Sequence, residues 1–245
     1  MDKRVLFFCF PFLLFPLSGQ ETLRLVTESW PPFRIVDEEA SWGYYGIDID
    51  VLEELENRLN VVIDVQRHPW ARGLNMLKNG QADMIIGLAY TEERAGFVDY
   101  VPTSYFSVQP VFYTQKGRGS EFRTYQDLAG HSIGMSIDSA YFEPFNSDSS
   151  LNKVTLVTEP QIIEMLALGR LDLAVGTNPN IAYDIYLLGL QDKVEMTAYI
   201  PPVRTDLYIA FSKLSNKRTH LEAVDRAIRD MLADGTIDAI AARYR

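Results

Sequence analysis

Leu77-Lys78-Asn79-Gly80-Gln81-Ala82-Asp83-Met84-Ile85-Ile86-Gly87 and Leu166-Ala167-Leu168-Gly169-Arg170-Leu171-Asp172-Leu173-Ala174-Val175-Gly176 carry Leu, Gly, Asp and Gly at identical offsets. In each copy a helix runs up to the Leu, and the first Gly closes it in left-handed geometry. A short apolar strand then delivers its carboxyl end to the second Gly, where backbone approaches a guest closely. Ligands of open α/β sheets gather at such strand ends. Two of them facing each other make a cleft between two lobes. Helix–turn–strand units are common, so the echo alone also admits chance similarity, and it does not by itself establish a shared ligand.

The flanking sequence extends both copies. Leu23 to Thr27 alternates like a strand, and Trp30-Pro31-Pro32-Phe33 is a loop, since consecutive prolines fit neither ladder nor helix. Ile49, Leu52, Leu55 and Leu59 mark the apolar face of a helix, Val61 to Val65 a strand, and Ala71 to Lys78 a second helix before Met84 to Gly87. Strand, helix, strand, helix, strand predicts a parallel sheet covered by helices. A second pass starts near Ile133, with a helix over Gln161 to Leu168 and a strand over Leu171 to Val175. The extended stretches Ser107 to Phe112 and Pro201 to Asp206 suit two hinge crossings. The helix Leu221 to Leu232 then returns to the first lobe. This gives lobe 1 as residues 20–110 with 207–245, and lobe 2 as residues 111–206.

The chain of 245 residues has 47% apolar and 23% charged residues and a formal charge of −10, an ordinary globular composition. Without a dense Lys/Arg stripe it does not suit nucleic acid or an anionic membrane surface. Three histidines and one cysteine leave little for a zinc cluster or a thiol enzyme, and no cofactor is expected. Lys3 and Arg4 precede an almost wholly apolar run from Val5 to Leu17 and then Ser18-Gly19-Gln20, the layout of a cleavable secretory signal. The run is too short for a membrane span, which needs roughly 18–20 apolar residues. Gln20 stands where a lipoprotein would carry Cys. Cleavage after Gly19 removes Cys9 and leaves 21 basic and 32 acidic residues, a charge of −11. The expected product is a soluble periplasmic protein without thiols, a monomer.

Gly46-Ile47-Asp48-Ile49-Asp50-Val51-Leu52-Glu53-Glu54-Leu55, then Thr91-Glu92-Glu93-Arg94 with Phe97-Val98-Asp99-Tyr100, and finally Met231-Leu232-Ala233-Asp234-Gly235-Thr236 follow one another along the chain. In order and spacing they resemble the polar-amino-acid class of bacterial extracellular solute-binding proteins that serve ABC importers. Glu56 departs from the small residue usual there. The resemblance implies the two-lobed α/β periplasmic-binding-protein fold of type II, each lobe a mostly parallel sheet flanked by helices. It also implies hinge closure on a small carboxylated ligand, most simply an amino acid, for a membrane permease.

It further implies roles for particular residues. Arg94 is the clamp for the ligand carboxylate, since a guanidinium fork matches a carboxylate in two parallel hydrogen bonds. The residues alone equally allow a surface pair with Glu92 or Asp99. Ser139 is the second lobe's hold on the same carboxylate, read as opening a helix, with Asp138 at a position where the class often has Gly. Trp30 and Trp70 are walls, or ordinary core. Gly87, Ala89 and Thr177 line the strand ends. The class commonly has Ser or Thr at Ala89, and at Thr177 an Asp that receives the α-ammonium group. Glu28, beside Trp30, is the candidate replacement acid. Arg72 meets a second acidic group on the ligand or is solvated. Two rivals stand beside transport: the same clamp reporting to a membrane sensor, and a dehydratase of cyclic carboxylates on this fold using His68 or Glu28. No Gly-x-Ser-x-Gly elbow supports a serine hydrolase.

Overall fold

The computed structural model describes residues 20–244, so the leader expected over residues 1–19 lies outside the described residues. The chain opens with β1 (Thr22–Thr27), the short hairpin β2 (Ile35–Val36) and β3 (Tyr44–Tyr45), then α1 (Ile47–Leu59), β4 (Val62–Arg67), α2 (Trp70–Lys78) and β5 (Met84–Ala89). There follow α3 (Glu92–Ala95), β6 (Val98–Tyr100) and the long strand β7 (Phe106–Gln115). The second half holds β8 (Ser132–Ser136), β9 (Asn152–Leu156), α4 (Glu159–Ala167), β10 (Leu173–Asn178), α5 (Asn180–Leu187) and β11 (Val194–Met196). The chain ends with β12 (Thr205–Ser212), α6 (Leu221–Ala233) and α7 (Thr236–Ala242).

The principal strands run in the order β4-β1-β5-β12-β7-β10-β8-β9. β4, β1 and β5 are parallel, as are β10, β8 and β9. β12 runs antiparallel to β5, and β7 antiparallel to β10. Within the sheet the two groups are joined where β12 pairs with the start of β7, through Thr205 with Val108, Asp206 with Ser107 and Leu207 with Phe106. A three-residue ladder between two large bodies is where bending costs least, because few contacts must be remade.

Each group has apolar clusters on both faces. Leu52 and Leu55 of α1 pack with Ile228 and Met231 of α6 on one side of the first group, and Leu74 and Leu77 of α2 with Ile85 on the other. Ile162, Ile163 and Leu166 of α4 cover one face of the second group. Phe142 and Phe145, from irregular chain, pack with Phe112 of β7 on its other face. Burial of such side chains contributes about 1.5–3 kcal/mol each.

The internal echo has one physical cause in both places. Gly80 and Gly169 have φ of 68° and 69°. Gln81 N–H donates to the Met76 carbonyl at 2.8 Å, and Arg170 N–H to that of Met165 at 2.9 Å, the six-to-one bond of a Schellman cap. Asp83 then accepts from the Arg24 backbone N–H at 2.9 Å, and Asp172 from that of Ser132, also at 2.9 Å. Each aspartate therefore ties its helix–strand turn to the neighbouring parallel strand. The final glycines differ. Gly87 has φ 78°, whereas Gly176 is hemmed in by Ile181 and Glu159.

The segment after β8 departs from the expected helix at Ser139. Residues 143–147 form turns instead, as suits Pro144, which lacks a donor, followed by Asn146 and Ser147. Asp138 holds the turn itself, at φ 57°, a geometry Asp tolerates better than most residues.

Candidate functional site

A cavity with about 580 Å³ of empty space, partly open to solvent, lies beside the β7–β12 crossing, between the two groups of strands. The first group lines it with Glu28, Trp30, Arg34, Trp70, Gly87, Ala89 and Arg94, and the second with Ser136, Ser139, Tyr141, Glu159 and Thr177. Eight of the nine site residues expected from sequence thus share one cavity. Arg72 does not. It is exposed on α2, two residues beyond Trp70 and so about 200° around the helix, while the adjacent Gly73 packs on Val26.

Arg94 closes α3. Its backbone N–H donates to Thr91 Oγ1 at 3.1 Å, an N-cap bond that fixes the short helix. Only 5% of the residue is exposed. Nη1 donates to the Ala89 carbonyl at 2.8 Å, and Nη2 donates across the cleft to the Asp138 carbonyl at 2.6 Å. Asp99 pairs with Lys213 and Arg218 instead. Among the described residues Arg94 has no carboxylate within 4.0 Å. Burial pulls its pKa below the usual arginine value. Two of the five guanidinium N–H groups are engaged by these carbonyls.

Ala89 supplies two things at once. It lines the cavity, and its carbonyl accepts from Arg94 and from the Tyr100 hydroxyl at 3.0 Å. Trp70, 9% exposed, donates from Nε1 to the same Asp138 carbonyl at 3.3 Å, with the Arg94 guanidinium 5.7 Å from its ring. Trp30 stacks on Phe33 with centroids 4.4 Å apart. Asn180 Nδ2 adds a third direct bond between the groups, to the Pro31 carbonyl at 2.8 Å.

A buried ion pair that the sequence reading missed supports the floor. Arg34 and Asp48 are 2% and 0% exposed and hydrogen-bonded to one another. Arg34 Nε also donates to the Glu28 carbonyl at 2.9 Å, and the Tyr105 hydroxyl donates to Asp48 at 2.6 Å. Gly87 makes room for this pair, for a Cβ there would lie 2.7 Å from Arg34 Nη1. Asp48 was visible in the sequence only as one acid of the Gly46 motif. Nothing local to Arg34 signals its partner 14 residues away.

Acids gather on the opposite side of the cavity. Glu28 Oε2 accepts the first free N–H of α2, from Trp70, at 2.9 Å, a capping role that Pro69 cannot fill. Burial nevertheless raises the Glu28 pKa. Glu159, the first residue of α4, has its carboxylate against Gly176, next to Thr177. Burial, with Asp184 and Glu28 as neighbours, pushes its pKa well up. No sequence signal marks Glu159, because an acid in a first helical turn is ordinarily a solvated complement to the helix dipole.

Asp184 of α5 is 6% exposed, and burial raises its pKa from 3.8 to about 7. A carboxyl whose folded pKa exceeds its unfolded value leaves the native state holding the extra proton. Stability from this group is therefore fully present below about pH 4 and is lost as pH rises to about 7. Asp184→Asn is expected to raise the melting temperature of the ligand-free protein by several degrees at pH 8 and to leave it unchanged near pH 4. Paired thermal melts check this. An equal effect at both pH values would contradict it.

Residues 23–245 match the family of bacterial extracellular solute-binding proteins, family 3. The chain is 23% identical over 220 residues to the L-cystine-binding protein TcyA of Bacillus subtilis (strain 168), covering 88% of this chain and 78% of that one. Its fold superposes with a TM-score of 0.78 on an ancestral arginine-binding protein bound to arginine, at 25% identity over 92% of this chain and 98% of that one. A histidine kinase sensor domain with similarity to periplasmic binding proteins gives a TM-score of 0.80 at 17% identity, over 92% of this chain and 96% of that one, a likeness of fold alone. The match over nearly the whole described chain, together with a cleft of this construction, makes this protein a member of family 3 of the bacterial extracellular solute-binding proteins.

Proposed function

We propose that the cleft binds a small carboxylated solute, an amino acid, by hinge closure and presents it to the membrane permease of an ABC importer. One observation carries this reading. Among the described residues Arg94 is buried in the cavity with no carboxylate within 4.0 Å, its guanidinium held by two backbone carbonyls. A desolvated guanidinium in that state is costly, and a ligand carboxylate offsets the cost with bonds stronger than neutral ones. Residues 20–110 and 207–245 form one jaw and residues 111–206 the other, hinged at β7 and β12.

In this reading Arg94, Trp30, Trp70, Gly87 and Ala89 receive the ligand on the first jaw, and Ser139 and Thr177 close over it from the second. Glu28 stands on the amine side. Closure excludes water and so strengthens every polar contact inside. A ligand shifts the jaws only by as much as it favours the closed form. Asp138 is suited to that discrimination, because Arg94 and Trp70 reach its carbonyl only when the jaws meet. As a member of a solute-binding family the chain is a carrier rather than an enzyme. The family is extracellular, and among the described residues no helix is long and apolar enough to cross a membrane. A periplasmic location after removal of residues 1–19 fits both.

The test is a thermal-shift screen of the mature chain against amino acids, amines, dicarboxylates, sugars and metal ions. A ligand at 100 times its dissociation constant adds about 2.7 kcal/mol, roughly 5–10 °C for a chain of this size. Shifts with amino acids are expected. A response confined to sugars or metals overturns the ligand class. Co-purification with a permease, or with a membrane receptor instead, decides which partner reads the closed form.

A further inference from the structure

The carboxylates on the amine side outnumber what a neutral amino acid needs. Arg34 is neutralised by Asp48, so among the described residues Arg94 is the one cation lining the main cavity without an acid partner. Against it stand Glu28 and Glu159. A second, outer cavity of about 1010 Å³, part of it open solvent, shares Glu28, Trp30, Ser136 and Glu159 with the first and adds Asp184 at its edge.

None of the three acids has a Lys, Arg or His within 4.0 Å among the described residues. Asp184 is 94% buried, and the neighbour that eases its charge is the neutral Asn180, whose amide already donates to Pro31. Arg67 and His68 also line the outer cavity. Arg67 is exposed, however, and neither residue contributes to the pKa of Glu28, Glu159 or Asp184.

We infer that the cleft is built for an amino acid with a cationic side chain, whose two positive groups are received by Glu28, Glu159 and Asp184 while Arg94 holds its carboxylate. This rests on the carboxylate-clamp reading above and narrows its ligand class. A ligand carrying one carboxylate and two cations offers Arg94 an acid and offers two of these three carboxyl groups a cation each, which favours their ionised forms. A neutral amino acid brings one ammonium and so offers a cation to one of the acids alone. An acidic amino acid adds a further like charge. The acid class expects at 177 is absent from this chain, but the Glu159 carboxylate lies beside Gly176, one residue away, so a different element brings a carboxylate to the same strand end.

The test is isothermal titration of L-arginine, L-lysine, L-glutamine and L-glutamate into the wild-type protein and into Glu159→Gln, Asp184→Asn and Arg94→Ala variants. L-Arginine or L-lysine is expected to bind roughly 10–100-fold tighter than L-glutamine, the range set by one charge-assisted hydrogen bond. Each charge-neutralised variant should lower that preference about tenfold. Both replacements keep the side-chain shape, and circular dichroism verifies the fold. If one variant fails to fold, the other carries the comparison. Equal binding of L-glutamine and L-arginine, or a preference surviving in the folded variants, overturns the inference. Binding of neutral amino acids that Arg94→Ala removes would leave the clamp reading standing without it. Binding of no amino acid at all overturns both.

Discussion

Arg94→Ala loses ligand binding by about three orders of magnitude while the ligand-free protein stays folded. The clamp makes two parallel charge-assisted bonds, each contributing about 1.5–3 kcal/mol, and two of them correspond to at least a hundredfold and up to roughly ten-thousandfold in affinity. The substitution also removes the bonds to the Ala89 and Asp138 carbonyls, so the ligand-free jaws lose a direct contact as well. Arg94→Lys separates charge from geometry. Lysine keeps the positive charge but offers a point ammonium in place of a planar fork, and an intermediate loss is expected. Titration of both variants with the best wild-type ligand measures this. Full affinity in Arg94→Ala would mean that the carboxylate is held elsewhere.

Arg34→Met should destabilise the protein by about 3–5 kcal/mol, the usual cost of removing one partner of a buried ion pair. Asp48, fully buried, would then keep only the Tyr105 hydroxyl as a direct partner. For a chain of this size that cost lowers the melting temperature by roughly 6–20 °C. Because the unpaired Asp48 would take up a proton on folding, the loss should shrink in acid and grow above neutral pH. The double variant Arg34→Met with Asp48→Leu should recover much of the stability, since an apolar pair of similar bulk often equals a buried ion pair. Thermal melts of the single and double variants from pH 5 to pH 8 check all three points. A single variant as stable as wild type would show that the pair contributes nothing to the fold.

Features governed by neighbours in the chain were legible in the sequence, whereas features assembled across the fold were not. The glycine caps at Gly80 and Gly169 and the alternating β1 follow from local geometry, and both were readable. Arg94, Trp70 and Thr177 were candidates through the resemblance to the solute-binding class, not through spacing alone. Arg34 pairs with an acid across a loop and a helix start, Glu159 reaches a cavity from the first turn of α4, and Asp184 is buried by packing of α5. No periodicity encodes these contacts. Arg72 failed for the complementary reason, since nearness to Trp70 in sequence does not mean a shared helix face. The expected helix at Ser139 failed because a serine cap signal was weighed above Pro144 and the turn-forming residues that follow it.

The most direct measurement is a crystal structure of the mature protein with the amino acid that gives the largest thermal shift. The account predicts its carboxylate within about 3 Å of the Arg94 guanidinium, both jaws in contact with it, and its positive end turned toward Glu28 and Glu159. A ligand bound on the outer surface, with the Arg94 side chain still holding only the Ala89 and Asp138 carbonyls, would contradict it.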